Sequence, residues 1–403
     1  MKQNKKVIIG SIIAIIIILL VLVLVKVLLN KNEPVEEKEK EEIIIQAPKD
    51  IFEDYYEKAN EKLQTLSLDE KIAQLFIVGT SKNSDFESLK RYQFGGYLFF
   101  KDFFTNKTEE QVKKQINDFQ ASSNIPLLIA VDEEGGKVVR VSSSTKLRNE
   151  PFKSPSELYE EGGFERIKKD TIEKSIFLQS LGINLNFAPV VDISENEKDY
   201  MHERTLKQGK EQTTTYASLV ISASKDYKVS YTLKHFPGYG SNKDTHKETS
   251  VDERTYEDIY QNDIEPFRAG IKEGAEVVMV SHNTVTSIDN TKPASLSKPI
   301  HELLRKDLKF TGIIITDAIN MGAIRKRYTT SDAIVNAILA GNDMIIISID
   351  KNTKDKITDT KVTYETVIKS VKEAIQDERI PQEVINESVK RILAWKYAKG
   401  LLE

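Results

Sequence analysis

The chain has 403 residues, 39% of them hydrophobic, and a formal net charge of -4. That length supplies one large α/β domain or two smaller ones, and the near balance of charge argues against a general nucleic-acid or anionic-membrane binder. The absence of cysteine excludes disulfides, thiolate metal sites, a cysteine nucleophile and a lipid-modified N-terminal cysteine.

Residues 1–29 are unlike the rest. Lys2, Lys5 and Lys6 precede an almost unbroken apolar run from Val7 to Val25, followed by Lys26 and Val27–Leu29. Such a run is long enough to span a bilayer core as a helix, and being apolar all round it is a poor amphipathic core helix. No small-x-small pattern follows, which favours a retained signal anchor over a removed signal peptide. The leading lysines favour a cytoplasmic N-terminus. The expectation is a single-pass protein of the cell membrane with its catalytic part extracellular. Residues 30–50, with the charged run Glu33–Glu42 and Pro34 inside it, read as a solvated linker. A folded domain over 51–403 is expected to follow.

From Ile72 onward, short apolar runs alternate with amphipathic ones. Strands are predicted at Leu75–Val78, Gly96–Phe100, Leu127–Val131, Asn184–Val191, Val229–Leu233, Val277–Val280, Ile313–Thr316 and Met344–Ser348. Helices are predicted at Gln111–Gln120, Glu165–Leu181, Thr213–Lys225, Tyr256–Glu273, Ile300–Leu308 and Ser331–Leu339, with two more at Thr363–Asp377 and Pro381–Lys399. Eight strands separated by helices indicate an α/β fold, a (β/α)8 TIM-like barrel, with a doubly wound open sheet as the competitor.

Polar residues recur at one end of these strands. Asp132 follows the third run, Asp192 the fourth, Lys234-His235 the fifth, His282 the sixth and Asp317 the seventh. In a barrel the C-terminal strand ends converge on one mouth, where the chemistry is done. Each residue singly suits a helix cap or a satisfied loop group; five strands with titratable groups at the same end do not. The fifth is the richest, with Lys234-His235-Phe236-Pro237-Gly238-Tyr239-Gly240 and then Asp244-Thr245-His246. Taken alone, Asp-x-His reads as a solvated surface loop. At a strand end it can pair a carboxylate with an imidazole for acid–base work.

With these residues in hand, the chain resembles the β-N-acetylhexosaminidases of glycoside hydrolase family 3. The resemblance runs from about Leu68 to Lys399. It is carried by Val131-Asp132-Glu133-Glu134-Gly135-Gly136, Asn186-Phe187-Ala188-Pro189-Val190-Val191-Asp192, the Lys-His-Phe-Pro-Gly block, and Asp244-Thr245-His246-Lys247-Glu248-Thr249. Pro293-Ala294-Ser295-Leu296-Ser297 and Gly312-Ile313-Ile314-Ile315-Thr316-Asp317 complete it.

The resemblance implies an exo-acting, retaining enzyme. Asp317 would be the nucleophile, and His246, partnered by Asp244, the acid–base group. Substrate contacts would come from Asp132, Arg140, Arg204, Lys234 and His235, with His282 as a pocket residue behind them. It implies a single catalytic domain, no cofactor and no metal. Its partners would be a GlcNAc-containing wall glycan and, through the N-terminal helix, the membrane. Three positions depart from the family pattern: Tyr239 stands where a histidine is frequent, Lys137 where an arginine is common, and Ala318 where a second aspartate is frequent. Three other readings stay open at this point. One is a phosphorylase using the same residues. A second is a metal-dependent barrel hydrolase built on His235, His246, His282, Asp132 and Asp317. The third is a wall-glycan binding protein without turnover.

Overall fold

Eight parallel strands, nearly all of them buried on both faces, set the architecture of the computed structural model. It describes residues 20–26, 50–80, 86–241, 244–247 and 249–403. The strands are β1 Phe76–Thr80, β2 Gly96–Phe99, β3 Leu128–Val131, β4 Leu185–Asn186, β5 Ser230–Phe236, β6 Val277–Val280, β7 Ile313–Thr316 and β8 Ile345–Ile347. They pair in sequence order, and β8 pairs with β1 through Phe76 and Ile345. A single bridge, Ile315 to Met344, spans the remaining gap between β7 and β8. The result is a nearly closed barrel of the TIM-like kind. Continuous apolar runs such as Ile313-Ile314-Ile315 suit it because parallel strands covered by helices are buried on both faces; all three isoleucines are fully buried.

The helices lie outside and start where their caps dictate. Ser67 with Glu70, Thr108 with Gln111, and Ser154 with Glu157 each form a reciprocal capping box, satisfying otherwise orphaned amides of the first turn. The C-terminal helix Gln382–Ala398 docks through buried Trp395, whose indole N–H donates to Ser230 Oγ at 2.9 Å.

The structure differs from the sequence reading in several places. The regular ladder of the fourth strand is confined to Leu185–Asn186, with an isolated bridge from Val190 to Lys234 further on; Pro189 between them has no N–H to give to a ladder. The fifth is longer than its apolar run and includes Lys234 and His235. The region Tyr256–Glu273 is two helices, Tyr256–Gln261 and Ile264–Lys272. The break falls where the buried Asp263 carboxylate turns to Arg254, 2.8 Å away. The region Ile300–Leu308 is an α-helix, Lys298–Glu302, that runs into a π turn, Leu303–Asp307. The transmembrane expectation for 1–29 lies outside the described residues except for 20–26, which are helical with exposed apolar side chains. Among the described residues no helix is long and apolar enough to cross a membrane.

Near the N-terminal strand ends, Lys396 is fully buried with its ammonium 2.7 Å from Gln74 Oε1. Burial pulls its pKa down to about 7. A buried amine that resists protonation destabilises the fold fully below that value, and the penalty fades as pH rises towards the unfolded lysine pKa. Wild-type stability should therefore gain up to about 1.4 kcal/mol per pH unit across that window from this group. Urea titrations should show Lys396→Met above wild type at pH 6, with the advantage shrinking by pH 9.

Candidate active site

The sequence-predicted residues meet at the C-terminal end of the barrel. Strand β5 contributes two neighbours, Lys234 and His235, although successive side chains of a regular strand point to opposite faces. The pairing of β5 with β6 shifts register between Lys234 and Phe236, and an irregularity of this kind re-aims side chains. Lys234 Nζ lies 3.1 Å from Asp132 Oδ1 and 2.6 Å from Glu134 Oε1. His235 Nδ1 lies 2.7 Å from Asp192 Oδ2. An aspartate oxygen accepts, so Nδ1 carries the hydrogen and Nε2 remains for a ligand.

Glu134 and Glu133 were not among the sequence-predicted site residues. Glu134 is buried and takes Arg204 in a two-point contact, Nε at 2.9 Å and Nη2 at 2.6 Å. Burial pushes its carboxyl up, but Arg204 and Lys234 override this and hold it far below the usual carboxylate range. Burial likewise opposes the charge on Arg204, and Glu134 more than restores it. Arg204 and Lys234 thus have a protein carboxylate as their first partner. Arg140 Nη2 stands 4.0 Å from Asp132 Oδ2. Buried Glu133 accepts the amides of Arg140 and Val141 at 2.8 and 2.7 Å, which fixes the segment carrying Arg140. The turn between needs glycine: Gly135 has φ +104°, and a Cβ there would meet Lys153 O at 2.1 Å.

His282 is fully buried. Its Nε2 faces the carbonyl of Ala318 at 3.0 Å and its Nδ1 faces Ser295 Oγ at 2.7 Å. A carbonyl only accepts, so the proton sits on Nε2 and the serine hydroxyl donates to Nδ1. Burial, opposed by Asp317, pulls its pKa down, in keeping with that neutral form. His282 therefore clamps the backbone next to Asp317 rather than lining the mouth as a donor.

Asp317 follows β7, and its Oδ1 accepts the Ala318 N–H at 2.7 Å. Burial pushes its carboxyl up; His282, His235, His246 and that amide outweigh it, leaving the carboxyl below its ordinary value. At Ala318 it is the backbone amide that meets Asp317.

Asp244 and His246 are joined directly, with Oδ1 2.9 Å from Nδ1 and 3.0 Å from the His246 amide. Burial raises the Asp244 carboxyl, and its bonds to His246 more than reverse this. The Tyr200 hydroxyl stands 3.4 Å from the same Nδ1. The His246 carbonyl accepts from Gly322 N–H at 3.1 Å, and the Thr245 carbonyl from Ala323 N–H at 3.0 Å. This ties the Asp244–His246 loop to the turn after Asp317. A Cβ at Gly322 would come within 2.7 Å of the His246 and Lys247 carbonyls, so glycine permits the approach. Lys137 forms an exposed ion pair with Glu203 at 3.5 Å. Among the described residues, no group of three or more histidine, aspartate or glutamate side chains is arranged to hold a metal ion; His235, His246 and His282 have different partners.

Comparison with known proteins gives the chain its relatives. The description "Glycosyl hydrolase family 3 N terminal domain" matches residues 67–395. A β-hexosaminidase of Nitrosomonas eutropha is 28% identical over 288 residues, spanning 70% of this chain and 82% of that protein. The β-hexosaminidase LpqI of Mycobacterium tuberculosis is 29% identical over 293 residues, or 70% of this chain and 73% of that protein. Among solved structures, a glycoside hydrolase family 3 β-N-acetylglucosaminidase from a Paenibacillus species superposes with a TM-score of 0.75 at 28% identity. That match covers 83% of this chain and 63% of the Paenibacillus chain. The nearly closed parallel barrel, the carboxylate and imidazole groups at its C-terminal mouth and the match across most of the chain lead to one assignment: this protein is an enzyme of glycosyl hydrolase family 3.

Proposed function

We propose that this enzyme is an exo-acting, retaining β-N-acetylhexosaminidase that releases terminal β-linked N-acetylglucosamine, with peptidoglycan fragments as its substrates. Asp317 attacks the anomeric carbon and forms a glycosyl ester while His246 gives a proton to the departing oxygen. His246 then takes a proton from water, which opens the ester and frees the sugar with net retention. The observation that carries this reading is the Asp244–His246 pair, 2.9 Å apart, on a loop hydrogen-bonded to the turn after Asp317. In this reading Asp132 accepts from sugar hydroxyls. Lys234, Arg204 and Arg140 donate to them and His235 meets them through Nε2, from positions set by Glu134, Glu133 and Asp192. The names of the related β-hexosaminidases support the amino sugar. Residues 1–29 act as a single-pass anchor that holds the barrel outside the cell; protease added to intact cells should then remove the barrel, and full protection would refute that orientation.

The test is hydrolysis of p-nitrophenyl β-N-acetylglucosaminide beside the corresponding glucoside. A preference for the glucoside would sink the amino-sugar assignment. Accumulation of sugar 1-phosphate in phosphate buffer would mark a phosphorylase instead. His246→Ala should lose roughly 10²- to 10³-fold on a disaccharide, where the leaving oxygen needs a proton, and less than about ten-fold on the nitrophenyl glycoside. Equal losses on both would remove His246 from the acid–base role.

A further inference from the structure

We infer that Tyr239 is a positioning residue for the acid–base loop, its phenol holding Thr245 and thereby His246 beside Asp317; the inference rests on the function proposed above. Among the described residues 244–247 one is fully buried. Thr245 is fully buried, whereas the His246 side chain is 56% exposed. Every polar group of Thr245 is partnered. Its N–H donates to the Tyr239 phenol oxygen at 3.0 Å, its hydroxyl lies 2.9 Å from the same oxygen, and its carbonyl takes the Ala323 amide. The amides of Gly322 and Ala323 therefore hold the loop from the side of Asp317, and the phenol holds it from the side of β5.

Tyr239 is itself fixed. It is buried, its N–H donates to Asp192 Oδ1 at 2.8 Å, and its carbonyl accepts from Asn283 Nδ2 at 3.2 Å. The same aspartate holds His235. One carboxylate in the segment after β4 thus ties a proposed sugar contact to the tyrosine that seats the proton carrier. The Tyr200 ring flanks both, its centroid 5.9 Å from that of Tyr239 and 6.4 Å from that of His246.

A phenol suits this place because one oxygen both accepts and donates. Having accepted the Thr245 N–H, it also shares a hydrogen bond with the Thr245 hydroxyl, in which either oxygen can donate. A single imidazole nitrogen does one or the other, so a histidine at 239 replaces at most one of the two bonds. Without the phenol hydroxyl the amide and hydroxyl of Thr245 lose their partner, and His246 spends less time in line with the leaving oxygen. Small misplacements of this kind reduce rate steeply.

The experiment compares Tyr239→Phe, Thr245→Val and wild type in two ways. The first is kcat/KM on 2,4-dinitrophenyl and phenyl β-N-acetylglucosaminides. Tyr239→Phe should lose about ten-fold on the phenyl glycoside and under about three-fold on the dinitrophenyl one, with Thr245→Val following the same pattern more weakly. Equal losses on the two leaving groups, or none, would overturn the proposal. The second is hydrogen exchange of the 244–247 segment, which needs no turnover. Tyr239→Phe should speed it while the barrel strands keep their protection, and unchanged exchange would also overturn the proposal. A wild type inactive on every glycoside tested would defeat the functional reading while leaving the exchange result to decide whether Tyr239 seats the loop.

Discussion

Asp317→Ala is expected to lower kcat on an aryl β-N-acetylglucosaminide by roughly 10⁴-fold, the scale for removing a nucleophile whose partners stay in place. The substitution removes the only side chain at the end of β7 able to form the glycosyl ester. The clamp of His282 on the Ala318 carbonyl stays in place. Added azide should restore turnover, attacking from the face vacated by the carboxylate to give the α-glycosyl azide as phenolate departs. That stereochemistry identifies the side of the sugar on which Asp317 acts. A β-azide, or activity that survives the substitution, would remove Asp317 from the nucleophile role. The pH profile carries a sign as well. Asp317 must be ionised to attack. Burial works against ionisation, while the three imidazoles and the Ala318 amide more than compensate. The limb of kcat/KM set by Asp317 should therefore fall below the usual carboxylate range.

Much of this architecture was legible in the sequence. Apolar runs such as Val277–Val280 and Ile313–Thr316 coincide with β6 and β7, because strands buried on both faces contain little but apolar residues. The same logic misjudged β5, where the apolar run stops at Leu233 while the strand continues through Lys234 and His235. The barrel mouth supplies Asp132, Glu134 and Asp192 as partners, so polar residues remain in the ladder there. It also missed the break within Tyr256–Glu273, where Asn262-Asp263 fits a helical pattern but the Asp263 carboxylate pairs with Arg254.

Within the candidate site, residues at strand ends were legible because their position in the chain fixes which end of the barrel they reach. Glu134 was not. It belongs to an acidic triplet, Asp132-Glu133-Glu134, whose members face three different sets of partners. Spacing alone does not sort them. A signal did exist in the charge count: Arg140, Arg204 and Lys234 against Asp132 alone leave cations in a buried place with too few anions, which calls for a second carboxylate nearby.

That second carboxylate makes Glu134→Ala the largest expected effect on stability. The side chain is buried between Lys234, itself 1% exposed, and Arg204. Removing one member of a buried ionic cluster leaves the others charged and without a partner, at a cost of about 3–5 kcal/mol. For a chain of this size the melting temperature should fall by about 5–10 °C. Glutamine recovers only part of this, since its amide turns one acceptor into a donor facing a cation. Because Arg204 and Lys234 overcome burial and hold the Glu134 carboxyl far below its ordinary value, its contribution is complete above the pKa of an unfolded glutamate. It is lost only as pH falls towards the folded value. The gap between wild type and Glu134→Ala should therefore be flat through neutral pH and close in acid. Substrate affinity should weaken in parallel, because Lys234 and Arg204 would turn towards Asp132, the carboxylate proposed to accept from the sugar. Urea denaturation at pH 7 and pH 4, with KM measured at pH 7, separates the two effects. An unchanged urea midpoint at pH 7 would mean that Asp132 alone balances these cations, and that Glu134 is a spectator in the cluster.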